Sequence, residues 1–249
     1  MIDVSFDFTS DTPGYWDGYW ERMNGLGGCG KKDPDSCSPT LLGYSRRLWS
    51  RVLPNGERME LEIPRHRGYL VWNAMRLSCD SITCSFRYAR NEKMIREVYA
   101  SMDDYKSWIE NFTRRSYTLP GEMIFPMHVK SMNQQRGMNR KIRDRWDLTL
   151  ECIRRYYAGE DSPLADVLNS DRDFFDMFVD FRSYIDFFFL NDCVTDDYSR
   201  VHIWTEWHGF STDALPASVP EYFGFMNRQG RFLENRRRRM QDFIDLNHM

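Results

Sequence analysis

The chain has 249 residues, 34 Lys+Arg against 37 Asp+Glu, and a formal charge of −3. Aromatic residues make up 15% of it, which excludes an intrinsically disordered chain. The 15 Gly and 10 Pro are too few for collagen-like or low-complexity classes. The near-neutral balance speaks against a dedicated duplex-DNA coat, and no run of about 18 apolar residues signals a membrane span.

The N-terminus, Met1-Ile2-Asp3-Val4-Ser5-Phe6-Asp7, has neither a basic start nor an apolar stretch, so no secretory signal is expected. Phe6-Asp7-Phe8-Thr9-Ser10 alternates and predicts a short strand. In Tyr15-Trp16-Asp17-Gly18-Tyr19-Trp20 the rings can stack on bases or sugars, or pack as helix-face neighbours. Gly25–Asp35 reads as a loop; Lys31-Lys32 follows its glycines, but the phosphate-loop order is absent. Ser38 then caps a helix with Pro39 at its first position, which should stop before Pro54-Asn55-Gly56.

Met59–Ile63 and Tyr69–Trp72 predict strands, and residues 80–115 predict helices with Asp80 and Asp103 as caps. Met123-Ile124-Phe125 is a strand ended by Pro126. The spacing of Ile142, Trp146, Leu150, Ile153 and Tyr157 predicts a long helix over 134–157, ended by Gly159. A short helix over 163–169 and a strongly apolar one over 172–193 follow. Arg200–Trp204 reads as a strand, and 220–245 as one or two helices divided at Gly230. The expected architecture is a single α+β domain over 1–249, with a helix-rich C-terminal half packed on a small mixed or antiparallel sheet.

The six cysteines, Cys29, Cys37, Cys79, Cys84, Cys152 and Cys193, are scattered without zinc-finger spacing. They are expected as reduced thiols in a cytoplasmic protein. The densest polar inventory lies at 133–155. Asp144, Asp147 and Glu151 fall on one face of the expected helix, where they could act as general bases or hold a divalent cation. Arg143 and Arg155 flank them as anion ligands, and Asn133, Gln134 and Arg136 add donors at the helix start. His128 is an acid–base candidate beside them. The competing reading is a ladder of i,i+4 ion pairs, Arg140–Asp144, Arg143–Asp147 and Glu151–Arg155. Arg236–Arg239 could bind nucleic acid or an acidic partner, or form a partly ion-paired face of a docked helix.

The blocks DPDSCSPTLLGYSRRLWSRVLPNG, DRWDLTLECIRRYYAGEDSPLADVL and FFDMFVDFRSYIDFFFLNDCV, with GEMIFP and SMNQQRG, resemble a family of uncharacterised bacterial proteins defined by a domain of unknown function. The resemblance spans residues 5–245. It implies one globular unit from a bacterium or bacteriophage, and it assigns no activity, cofactor or partner. Two functions stay open. One is an intracellular enzyme or binding protein for a phosphate-bearing ligand, a nucleotide or nucleic-acid end, using the 133–155 residues. The other is a non-catalytic interaction protein in phage–host conflict or toxin control, using the arginine run. A sugar-binding module built on Trp16 and Trp20 ranks third.

Overall fold

The protein is described by a computed structural model covering residues 1–24, 33–65, 67–86, 93–127, 141–207, 209–210 and 215–249. Ser38 starts helix α3 (Pro39–Trp49) as its sequence requires, the hydroxyl accepting from Leu41 N at 3.0 Å. Two shorter helices precede it, α1 (Tyr15–Asn24) and α2 (Pro34–Cys37). After the Asn55-Gly56 turn come β1 (Leu70–Trp72) and β2 (Met75–Ser81), then α4 (Lys93–Ala100), α5 (Tyr105–Ser116) and β3 (Glu122–Pro126). The strands form an antiparallel sheet in the order β1-β2-β3, pairing Leu70 with Leu77 and Cys79 with Ile124. The C-terminal part is helical: α6 (Trp146–Ala158), α7 (Ala165–Ser170), α8 (Arg172–Phe175), α9 (Phe181–Phe187) and α10 (Val219–Leu246). The fold is α+β. No described helix is long and apolar enough to cross a membrane.

Several expected elements take another form. Phe6–Ser10 is not a strand, and Phe8–Ser10 is turn, because the Asp7 carboxylate accepts from Thr9 N at 3.0 Å and Thr9 Oγ1 at 2.6 Å and folds the segment on itself. Met59 and Leu61 are buried as alternation requires, but this segment pairs only through isolated bridges at Arg58 and Glu62. Arg200–Trp204 likewise has one bridge, Val194 to Val201. Alternation reports which face is buried and says nothing of a pairing partner. Asp80 lies inside β2, and the residue before α5 is Asp104, not Asp103. Residues 141–145 are not helical, and α6 begins only at Trp146, so Asp144 lies ahead of it. Gly159, at φ 70°, ends α6 as expected. Gly230 does not divide α10.

The apolar run 172–193 is the clearest departure. A straight helix would turn Phe174, Phe175, Phe178, Phe181, Phe187 and Phe188 to more than one side, since each residue advances 100°. The chain instead folds into α8, a 3-10 turn (Asp176–Phe178), α9 and a second 3-10 turn (Asn191–Cys193), and all six rings are buried. The break is a γ-turn at Val179, with φ 68°, ψ −54° and Asp180 N donating to Phe178 O at 2.7 Å. Asp180 then caps α9 through Ser183 N at 2.7 Å. Val179 is 62% exposed and β-branched, so it bears backbone strain without a packing return. Val179→Gly is expected to stabilise the protein by about 1 kcal/mol, read as a higher urea midpoint.

Arg236 of α10 is 0% exposed. Its guanidinium donates to Phe188 O at 3.1 Å, Pro120 O at 2.6 Å and Glu122 O at 3.0 Å. It thereby ties α10 to the start of β3 and to the phenylalanine-rich segment. Arg236→Met should destabilise the protein by about 3 kcal/mol or more, because three buried carbonyls lose their donor. The exposed neighbour Arg238→Met should stay within about 0.5 kcal/mol. Equilibrium urea unfolding of both variants checks the contrast.

Candidate functional site

Among the described residues singled out by sequence, Asp147 and Glu151 are held in two separate ion pairs. Asp147 is 0% exposed and paired with Arg145, whose Nε reaches Oδ1 at 3.1 Å and whose Nη2 reaches Oδ2. Its partner is therefore Arg145 and not the expected Arg143. Glu151 is clamped by Arg154 Nε and Arg155 Nε, both at 2.9 Å, so the expected Glu151–Arg155 pair is present. Arg155 also donates to Asp161 O at 3.2 Å and lies 4.9 Å from the Phe210 ring centre. Arg143 lies 5.6 Å from the Phe86 ring, and Asp144 is exposed. Among the described residues no group of three or more His, Cys, Asp or Glu is placed to hold a metal ion, so Asp144, Asp147 and Glu151 do not form a cation site. Asp147 and Glu151 are instead matched to adjacent guanidinium groups. His128, Asn133, Gln134, Arg136, Arg140 and the Cys29–Lys32 loop lie outside the described residues.

The other two candidate surfaces are also spoken for. Trp20 donates to Glu110 at 2.8 Å, and Trp16 stacks under Arg114 at 4.5 Å, so the aromatic run packs on α5. In the arginine run, Arg236 is core, Arg237 pairs with Glu234 at 2.7 Å, Arg238 bonds Asn235, and Arg239 bonds Asp192.

Asp147 does serve a cleft, though indirectly. Its Oδ2 accepts from Trp204 N at 2.8 Å, while Arg145 donates to Thr205 Oγ1 at 2.7 Å. From the other side Arg228 donates to Trp204 O at 2.6 Å. These bonds fix residues 201–205 as one wall of a cleft of about 680 Å³, with α10 as the other. Arg228, Arg231 and Asn235 recur at i, i+3 and i+7 on the α10 face lining it. Arg200, His202 and Val201 line the cleft from the other segment, and Phe232 from α10. Arg200 rides on a tight turn: Thr195 N donates to Arg200 O at 2.9 Å, and Asp197 accepts from Thr195 Oγ1 at 2.6 Å and Ser199 N at 3.1 Å. Those hydrogen bonds hold the Asp197 carboxyl down to about 2. Asp192, the one carboxylate among the described lining residues, accepts from Asn235 at 2.9 Å and from Arg239. Among the described residues no carboxylate forms a salt bridge with Arg200, Arg228 or Arg231.

A second polar centre is sealed in the core between α2, β2 and β3. Glu122 is 2% exposed, and neither carboxyl oxygen finds a hydrogen-bond partner. Asp35 is half-buried as a residue, but its Oδ1 is out of contact with solvent. Its Oδ2 accepts from Ser81 N at 3.4 Å. Burial raises the Glu122 carboxyl well above its usual range, and nearby Cys79, Asp80 and Asp33 add to this against the opposing pull of Arg236. Burial likewise raises Asp35, helped by Glu122, Asp33 and Asp80.

Comparison with known proteins bears on this geometry through one match. The model of DUF6994, described as a family of unknown function, matches residues 2–240. The chain belongs to that family. No curated protein and no solved structure matches it. The match runs through every element lining the cleft, and through Glu122, Asp35 and Asp80.

Sequence reasoning found Asp147 but missed the cleft. The periodicity of Arg228, Arg231 and Asn235 is readable in the letters, whereas their meeting with Arg200 and His202 depends on a fold-back that no spacing rule encodes. The acid centre was missed because its members are far apart along the chain.

Carboxyls raised on folding favour the folded state below their unfolded value near pH 4, and that contribution is lost as pH climbs toward the raised folded values. Glu122→Gln, which cannot ionise, should therefore gain stability over the parent progressively as pH rises above about 4.5 toward the raised folded value. Urea midpoints across that range test this; a difference independent of pH contradicts it.

Proposed function

We propose that the protein binds a small phosphate-bearing molecule, seated in the cleft between residues 192–204 and α10. The observation carrying this reading is that Arg200, Arg228 and Arg231 line one concave cleft in which, among the described residues, the one carboxylate, Asp192, is already engaged by Arg239 and Asn235. Guanidinium groups present paired donors that suit phosphate oxygens, and hydrogen bonds to charged groups are the stronger ones. Asn235 and His202 supply further polar groups, while Val201 and Phe232 offer an apolar surface for the remainder of the ligand. A volume of about 680 Å³ accommodates a molecule of nucleotide size. Among the described residues, the buried thiols of Cys79, Cys152 and Cys193 are outside any disulfide, which supports a cytoplasmic location.

The test is calorimetric titration with inorganic phosphate, a nucleoside monophosphate and the matching nucleoside. Binding should need the phosphate and weaken with salt. Arg231→Ala or Arg200→Ala should weaken it about tenfold or more, because each removes a charge-assisted contact. Arg237→Ala, on a different face of α10, should leave affinity unchanged. Equal binding of nucleotide and nucleoside, or no binding by either, overturns the reading.

A further inference from the structure

A larger groove, of about 980 Å³, lies away from that cleft and differs from it in chemistry. Its walls are the β1–β2 turn, the end of β3 and the chain around α8. Backbone bonds brace them: Met127 N donates to Arg76 O at 2.7 Å, and Asn55 N to Met177 O at 3.2 Å. The apolar lining includes Trp72, Met75, Met127 and Met177. Thioethers on flexible stems adapt to varied apolar shapes, and an indole face attracts cations. Around this lining stand Glu57, Asp171, Asp173 and Asp176 and, among the described residues, one cation, Arg76. Asp176 is paired with Arg172 at 3.0 Å, but among the described residues neither Glu57 nor Asp173 forms a salt bridge. The groove therefore joins an adaptable apolar lining to an excess of negative charge.

We propose that this groove binds a small organic cation, an amine carrying an aromatic or branched apolar body. The body would lie on Trp72 and the methionines, and the ammonium would face Glu57 and Asp173. Charge complementarity selects this occupant: an anion meets repulsion, and a neutral apolar molecule leaves the carboxylates unanswered.

Calorimetry with tryptamine as the probe, beside its neutral alcohol analogue tryptophol and phosphate, tests the assignment. Tryptamine should bind at least about tenfold more tightly than tryptophol, since the alcohol lacks the charge. The exposed pair Glu57→Gln with Asp173→Asn should remove that preference while leaving the unfolding midpoint near the parent's. Trp72→Ala should weaken both probes. Arg231→Ala should leave tryptamine binding intact, so this groove and the phosphate cleft succeed or fail separately. Equal affinity for amine and alcohol, no binding of either, or a preference that survives the double variant would overturn the proposal.

Discussion

One buried guanidinium holds the C-terminal helix in its place. Arg236 carries its charge into a region without water, and burial lowers it to about 9, so it remains protonated near neutrality. Three backbone carbonyls, from Pro120, Glu122 and Phe188, accept from its Nε and Nη1, while Nη2 is buried without a hydrogen bond. Those carbonyls belong to the entry into β3 and to the end of the phenylalanine-rich segment, so the side chain acts as a crosslink between them. The fit is close at that point: a Cβ on Gly121 would stand 1.8 Å from Ser116 O. Fixing the rotation of α10 at Arg236 also sets where its other faces look. Phe225, Gln229 and Phe232 fall on the buried side, and Arg228, Arg231 and Asn235 fall beside it, toward the cleft.

Much of the fold could be read from local chemistry. Ser38 with Pro39, the stop at Gly159 and the strand ending at Pro126 follow from capping and backbone rules that need no tertiary knowledge. What local chemistry could not supply was the response to excess apolar surface. The phenylalanines of 172–193 have helical spacing, yet burying all of them required breaking the helix at Val179. Similarly, Ile142 and Trp146 fit a helical period, but Arg145 between them is extended and turned toward Asp147 and Thr205.

The polar residues were less legible still. Arg236, Arg237, Arg238 and Arg239 are the same letter four times, and the structure gives them four different partners. Only the fold decides which one enters the core. Asp147 was noticed for its carboxylate and turns out to act on a backbone N–H far along the chain, holding Trp204 in the cleft wall. Such a residue shapes a site without facing a ligand, and its spacing to other acids carries no sign of this.

The Asp197 turn has a bearing on kinetics. Its carboxylate satisfies the polar groups of Thr195 and Ser199 before anything arrives, and the bridge from Val194 to Val201 closes the base. The backbone that presents Arg200 is thus ordered during folding, and little of its conformational entropy remains to be lost on encounter. An incoming anion would meet a stationary binding wall, so capture would be governed by diffusion and charge steering, with no slow closing motion to wait for.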